Sequence, residues 1–186
     1  MTIHEPPHDF VNALLSIRDA NLPDGLLVKE VPAPGRLAPY AAAINLTTEA
    51  EQGDHPLAHS TFVLLYDPEQ TDNWGGDLRL VGHVRTQIDQ EMSADPVLVD
   101  MTWADFLTSL DEAGAHYESP LGTVTRELSQ SFGGLELRAS ALNIELRCSW
   151  TPQSQIGNHY EAWANFILLT AGCGEDHPFG LEVRGD

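Results

Sequence analysis

The chain has 186 residues, 28 of them acidic and 9 basic, for a formal net charge of −19 with histidine neutral. A field of that sign repels nucleic-acid phosphates and anionic membrane surfaces, so neither is an expected partner. Apolar residues make up 42% of the chain, which excludes the composition of a disordered protein, and no stretch approaches the roughly 20 apolar residues that span a bilayer. The opening segment MTIHEPPHDF is neither basic nor apolar enough for a signal peptide. The cytoplasm is therefore the expected location, and the acceptor pattern Asn45-Leu46-Thr47 is read as accidental. Two cysteines, Cys148 and Cys173, cannot build a disulfide framework.

In chain order, Phe10, Leu14 and Ile17 recur at helical spacing and predict a helix over 8–19. Leu26 to Val31 reads as a strand closed by Pro32-Ala33-Pro34-Gly35. Tyr40 to Thr48 fits helix or strand and is taken as strand, with 49–59 an exposed loop. Thr61 to Tyr66 is a strong strand. A turn-rich connection to Gly76 carries Trp74, and residues 77–88 then alternate in polarity. Thr102 caps the next helix, whose stripe is Trp103, Phe106, Leu107 and Leu110, and Gly114 stops it. Residues 122–130 read as strand, with Ser131 to Gly134 breaking or turning it.

The clearest strand is 141–151, with Leu142, Ile144, Leu146, Cys148 and Trp150 on one face and Asn143, Glu145, Arg147, Ser149 and Thr151 on the other. One packed and one polar face is the pattern of an antiparallel sheet covered on a single side. A last helix over 158–171 carries Tyr160, Trp163, Ile167 and Leu168 inward. The expected architecture is one α+β domain over 1–172, predominantly an antiparallel sheet of about six strands with helices packed on one face. Residues 173–186 read as a flexible tail. The order of four strands and a helix, then two strands and a helix, leaves a worn duplication open.

Motifs for chemistry are sparse. No phosphate loop ends in Gly-Lys-Ser or Gly-Lys-Thr, and no Gly-x-Gly-x-x-Gly, His-Glu-x-x-His or Cys-x-x-Cys occurs. The acidic run from Asp67 to Asp72 has Asp72 where a calcium loop needs glycine and Leu78 where it needs glutamate. Cys173 with His177, His4 with His8, and His55 with His59 are incomplete as metal sites. No metal, cofactor or catalytic residue is assigned. Gly75-Gly76 and Gly133-Gly134 suit tight turns better than ligand cradles. Trp103, Trp150 and Trp163 fall on apolar stripes, whereas Trp74, in a polar glycine-flanked loop, is a lid or contact residue.

The positive feature is where arginines fall. Arg79, His83 and Arg85 share one parity of a strand, and Arg147 lies on the polar parity of another beside Glu145. On neighbouring strands these side chains would share one face, where arginine's planar fork suits a carboxylate or phosphate and His83 could move a proton. The bland alternative is that cross-strand ion pairs consume them.

Several blocks resemble one family: Ala33-Pro34-Gly35-Arg36-Leu37-Ala38-Pro39-Tyr40, Phe62 to Pro68, Trp74-Gly75-Gly76, Glu91 to Pro96, Ser131-Phe132-Gly133-Gly134, Ser149-Trp150-Thr151-Pro152 and Glu161-Ala162-Trp163. Together, from about Leu27 to Thr170, the chain resembles the actinobacterial family of uncharacterised proteins called domain of unknown function 3000. The resemblance implies a bacterial cytoplasmic protein of one domain and brings no reaction or catalytic residue. The favoured expectation is a small non-enzymatic module that meets a protein partner or itself. The alternative is a small-anion or metabolite-binding domain, or an enzyme, built on Arg79, His83, Arg85, Glu145, Arg147 and Trp74.

Overall fold

Alternating polarity over long segments builds a sheet, and three apolar-striped helices cover one side of it. The computed structural model describes residues 5–133 and 141–173. Helix α1 spans His8–Arg18, and strands β1 (Leu26–Val31) and β2 (Tyr40–Thr48) follow. A short pair, β3 (Glu51–Gln52) and β4 (His55–Pro56), leads into β5 (Ala58–Tyr66). The one-turn helix α2 (Thr71–Trp74) precedes β6 (Leu78–Ile88), and α3 (Leu98–Glu112), β7 (Tyr117–Ser129), β8 (Ala141–Pro152) and α4 (Ile156–Thr170) complete the order.

The main sheet has six strands in the order β1-β2-β5-β6-β8-β7, every neighbour antiparallel. The α+β architecture with helices on one face is as the alternation predicts. Gly134 at the end of the expected turn, and residues 174–186 of the expected tail, lie outside the described residues. Cys173 lies in the turn just after α4, its N–H donating to the Leu168 carbonyl at 2.8 Å.

Three local expectations are corrected. Residues 49–59 form the β3–β4 pair and the start of β5 rather than a loop, with Thr48 Oγ1 accepting the Ala58 N–H at 3.0 Å. Helix α3 begins at Leu98, so Thr102 is an interior residue whose hydroxyl donates to the Leu98 carbonyl at 2.8 Å. The sheet's second face is not uniformly polar. At one end Ala43, Val63 and Leu65 form a second small core, covered by Ala33 and Ala38 of the β1–β2 connection and by Trp74.

The main core gathers Phe62, Leu64, Leu80, Leu146 and Trp150 from the sheet with Phe106, Trp163, Phe166 and Ile167 from the helices. Helix α4 is buried almost all round, because it lies on the sheet between α1 and α3. Its seat is a strip without bulk. Gly82, Cys148 and Gly122 stand side by side on β6, β8 and β7. A Cβ on Gly82 would meet Cη2 of Trp163 at 2.5 Å, and one on Gly122 would meet Cζ3 of Trp103 at 2.9 Å. The Trp163 indole N–H donates to Ser60 Oγ at 2.8 Å, so the ring is held by both shape and hydrogen bond.

Gly82→Ala should therefore lower unfolding free energy by about 1–3 kcal/mol, the usual range for overpacking. Combined with Trp163→Phe, which removes the clashing edge, it should cost less than the sum of the two single changes. Urea denaturation of the four-member cycle measures this coupling.

Candidate functional site

Period-two alternation puts Arg79, His83 and Arg85 of β6 on the face away from the helices, and the register brings β8 beside them. His83 lies opposite Arg147, and Arg85 opposite Glu145. One polar row crosses all the strands as Lys29, Asn45, Thr61, His83, Arg147 and Thr123. Within it the Thr61 hydroxyl donates to Asn45 Oδ1 at 2.9 Å.

Glu145 is the hub. Its Oε1 takes Nε of Arg147 at 2.8 Å, Nη2 of the same guanidinium at 2.7 Å, and Nε2 of His83 at 2.6 Å. Burial alone would raise this carboxyl, but the hydrogen bonds and charge of Arg147 and His83 hold it below the ordinary glutamate value. Arg85 does not join them. Its Nη2 reaches across β8 to Glu127 at 2.9 Å.

Arg79 stands apart. Its residue is only 6% exposed, and its donors go to Ser149 Oγ at 2.8 Å, Thr151 Oγ1 at 2.7 Å and the Ser119 carbonyl at 2.9 Å. The carbonyl is aimed by an irregularity in β7, where Ser119 takes φ 48° beside a register shift. No carboxylate lies among these partners. Burial pulls the guanidinium below its usual value. The Thr151 hydroxyl in turn donates to the Trp74 carbonyl. Trp74 itself is half-buried against the second small core, so it is a packing residue of this end of the face.

The structure thus unites His83, Glu145 and Arg147 directly, sets Arg85 beside them in a separate pair, and places Arg79 and Trp74 at the covered end. Charge on this face runs against the rest of the chain. Its strand positions hold Lys29, Arg79, Arg85 and Arg147 against Glu118, Glu127 and Glu145, one more cation than carboxylates, in a chain of net charge −19.

A second polar constellation carried no signal in the sequence beyond a histidine in a largely apolar helix. A cavity of about 680 Å³ lies between α1, the start of α4 and the Gly75–Asp77 turn, with Asp9, Ser16, Ser154 and Glu161 in its wall. Ser154 Oγ sits 3.2 Å from Nε2 of the buried His159. The polarity is wrong for an activated serine. The Trp150 indole N–H donates to His159 Nδ1 at 3.0 Å, so the neutral ring carries its proton on Nε2 and donates it toward Ser154. Catalysis would need the Nε2 lone pair to face the hydroxyl. Among the described residues, no group of three or more His, Cys, Asp or Glu side chains is arranged to hold a metal.

Burial pushes the His159 imidazole down to about 4. The unfolded chain, with histidine near its ordinary value, binds this proton more readily, so stability is full above about pH 6.5 and falls as pH drops towards 4. The loss attributable to this residue should approach about 3 kcal/mol. Denaturation of the native chain and His159→Gln at pH 7 and pH 4.5 should show a smaller acid loss in the variant.

No curated protein and no solved structure matches the chain. A family model does match, over residues 6–177, and so reaches beyond the resembling blocks on both sides. The chain belongs to that family, described as Protein of unknown function (DUF3000).

Proposed function

We propose that the chain is a non-catalytic domain that binds a small anionic metabolite, a carboxylate or phosphate, on the open sheet face around Arg147, Arg85 and His83. The observation that supports this reading is the reversal of charge on that face, together with Arg79, a buried cation satisfied by hydroxyls and one carbonyl. Arg147 has a side chain 72% exposed, and its contacts engage Nε and Nη2, leaving the far side of the fork to solvent. The arginine end of this pair is open to solvent, so an incoming anion can compete with Glu145 for the guanidinium. His83, with a side chain 41% exposed, has its Nε2 on the same Glu145 oxygen, so an anion that displaces the carboxylate meets this nitrogen as well. The second small core and its covering connection wall the face at one end. Unpaired thiols at Cys148 and Cys173 suit a reducing compartment, the cytoplasm.

Titration with inorganic phosphate and with citrate at low salt, followed by amide NMR, should move resonances along the row from Thr61 to Thr123. Arg147→Gln should weaken binding about tenfold, the worth of one charge-assisted hydrogen bond. Glu145→Gln should tighten it by removing the competing carboxylate. Binding that neither substitution alters would sink the reading.

A second reading, association with a protein partner or another copy, draws on the sheet's edges. Leu27 and Val28 of β1 are 58% and 49% exposed, and Leu121 and Leu128 of β7 are 59% and 61% exposed. If copies pair through β7, sedimentation should show a dimer that Leu121→Lys with Leu128→Lys dissociates. A native chain that stays monomeric at high concentration rules that pairing out.

A further inference from the structure

The helix side of the sheet holds a second cavity of about 290 Å³, at the end of β6 away from Arg79 and separate from the open-face site. Its walls come from five elements: the ends of β6 and β8, the turn after β6, the start of α3 and the close of α4. Ile88, Met92, Leu98, Met101, Ile144 and Leu169 make its apolar lining. The hydroxyls within reach are already engaged. Thr102 donates to the Leu98 carbonyl at 2.8 Å, and Thr170 donates to the Ile167 carbonyl at 2.9 Å. Apart from Gln87 and the acidic residues, the side chains left facing the space are hydrocarbon and thioether, a lining that takes an apolar body and adapts to its shape through two unbranched methionines.

The charged part of the wall has one sign among the described residues. Asp89, Glu91 and Asp105 belong to it, and no described lysine, arginine or histidine does. Asp89 Oδ1 accepts the Glu91 N–H at 3.0 Å, which fixes one carboxylate at the mouth without neutralising it. We infer that this cavity binds a small primary amine, with its apolar chain or single ring among Ile88, Met101 and Leu169 and its ammonium at the Asp89–Glu91 mouth. A carboxylate of the same skeleton would bring like charge to that mouth in a chain already strongly negative. A neutral alcohol would gain the apolar contact alone. The volume sits at the small end of the range for small-molecule sites, about 300–1,000 Å³, so the occupant is a single short chain or ring rather than a nucleotide or a lipid.

The chain's three methionines make the test direct, because two of them, Met92 and Met101, line the cavity and the third is Met1. The full chain, labelled with ¹³C at the methionine methyls, is titrated with hexylamine, hexanol and hexanoate at low salt. The expected result is saturable movement of the Met92 and Met101 signals with Met1 unmoved. Hexylamine should bind at least several-fold more tightly than hexanol, and hexanoate should not saturate. Raising salt should narrow the gap between amine and alcohol. Asp89→Asn with Glu91→Gln, both exposed positions, should bring hexylamine down to the affinity of hexanol while hexanol binding persists. Met101→Phe, which fills the space, should abolish all binding. Equal or better binding of hexanoate, no saturable shift with any of the three, or an amine preference that survives the rim substitutions would each overturn the assignment. So would methionine shifts that follow protein concentration without added amine, which would put a second copy in the cavity.

Discussion

A tryptophan seated on a glycine ties the helices to the sheet. Trp163 rests where Gly82 has no side chain, and the same absence at Gly122 admits Trp103. Helix α4 can approach the sheet closely only along this strip, and α3 follows it with Phe106 packed at 5.0 Å from Trp150 and 5.9 Å from Trp163, ring centre to ring centre. The strip also dictates side-chain size around it. Cys148, a small side chain, stands between the two glycines. Edge-to-face rings add their own attraction to the buried area, and both buried indole N–H groups find acceptors, Ser60 for Trp163 and His159 for Trp150.

Because all three long helices crowd onto that side, the opposite face keeps its polar residues, and the chain uses the two halves of that face differently. The half beside Arg79 is closed by an apolar patch and a proline-rich connection. The half around Glu145 stays wet and carries charges that offset one another only in part. Strand register, rather than any contiguous motif, assembles this site. His83 and Glu145 are 62 residues apart in the chain yet within hydrogen-bond distance. The strand positions of this face carry one more cation than carboxylates in a chain of net charge −19, which makes the placement of its few arginines conspicuous.

The strands were legible because alternation is strict wherever one face is covered. Residues 141–151 and 77–88 show it plainly, and the site residues were found by their shared parity. Where both faces are covered, alternation vanishes. The continuous apolar run Phe62 to Tyr66 reads as a strand without showing what covers each face; Val63 and Leu65 point away from the helices into the second small core. Thr102 has the side chain of a cap but lies inside α3, where its hydroxyl bonds the Leu98 carbonyl. The chain enters that helix instead through Asp95, whose carboxylate accepts the Val97 N–H at 2.9 Å. Which arginine would pair with which carboxylate was not legible, because it depends on register. Arg85 lies opposite Glu145 yet bonds Glu127. The Ser154–His159–Trp150 chain and the cavity beside Met101 arise from packing between distant segments and leave no local pattern.

The buried cysteine has a consequence for how the molecule ages. Cys148 sits under the helices with Sγ 3.7 Å from the Gly82 carbonyl, and burial drives its thiol far above the ordinary range. The thiolate is the reactive form, so in the native state this sulfur is shielded from oxidants and electrophiles alike, while Cys173 at the end of α4 is exposed to them. Damage to Cys148 then requires the tryptophan-on-glycine seat to open first. Its oxidation state in a stored sample records how often the sheet and helices have come apart.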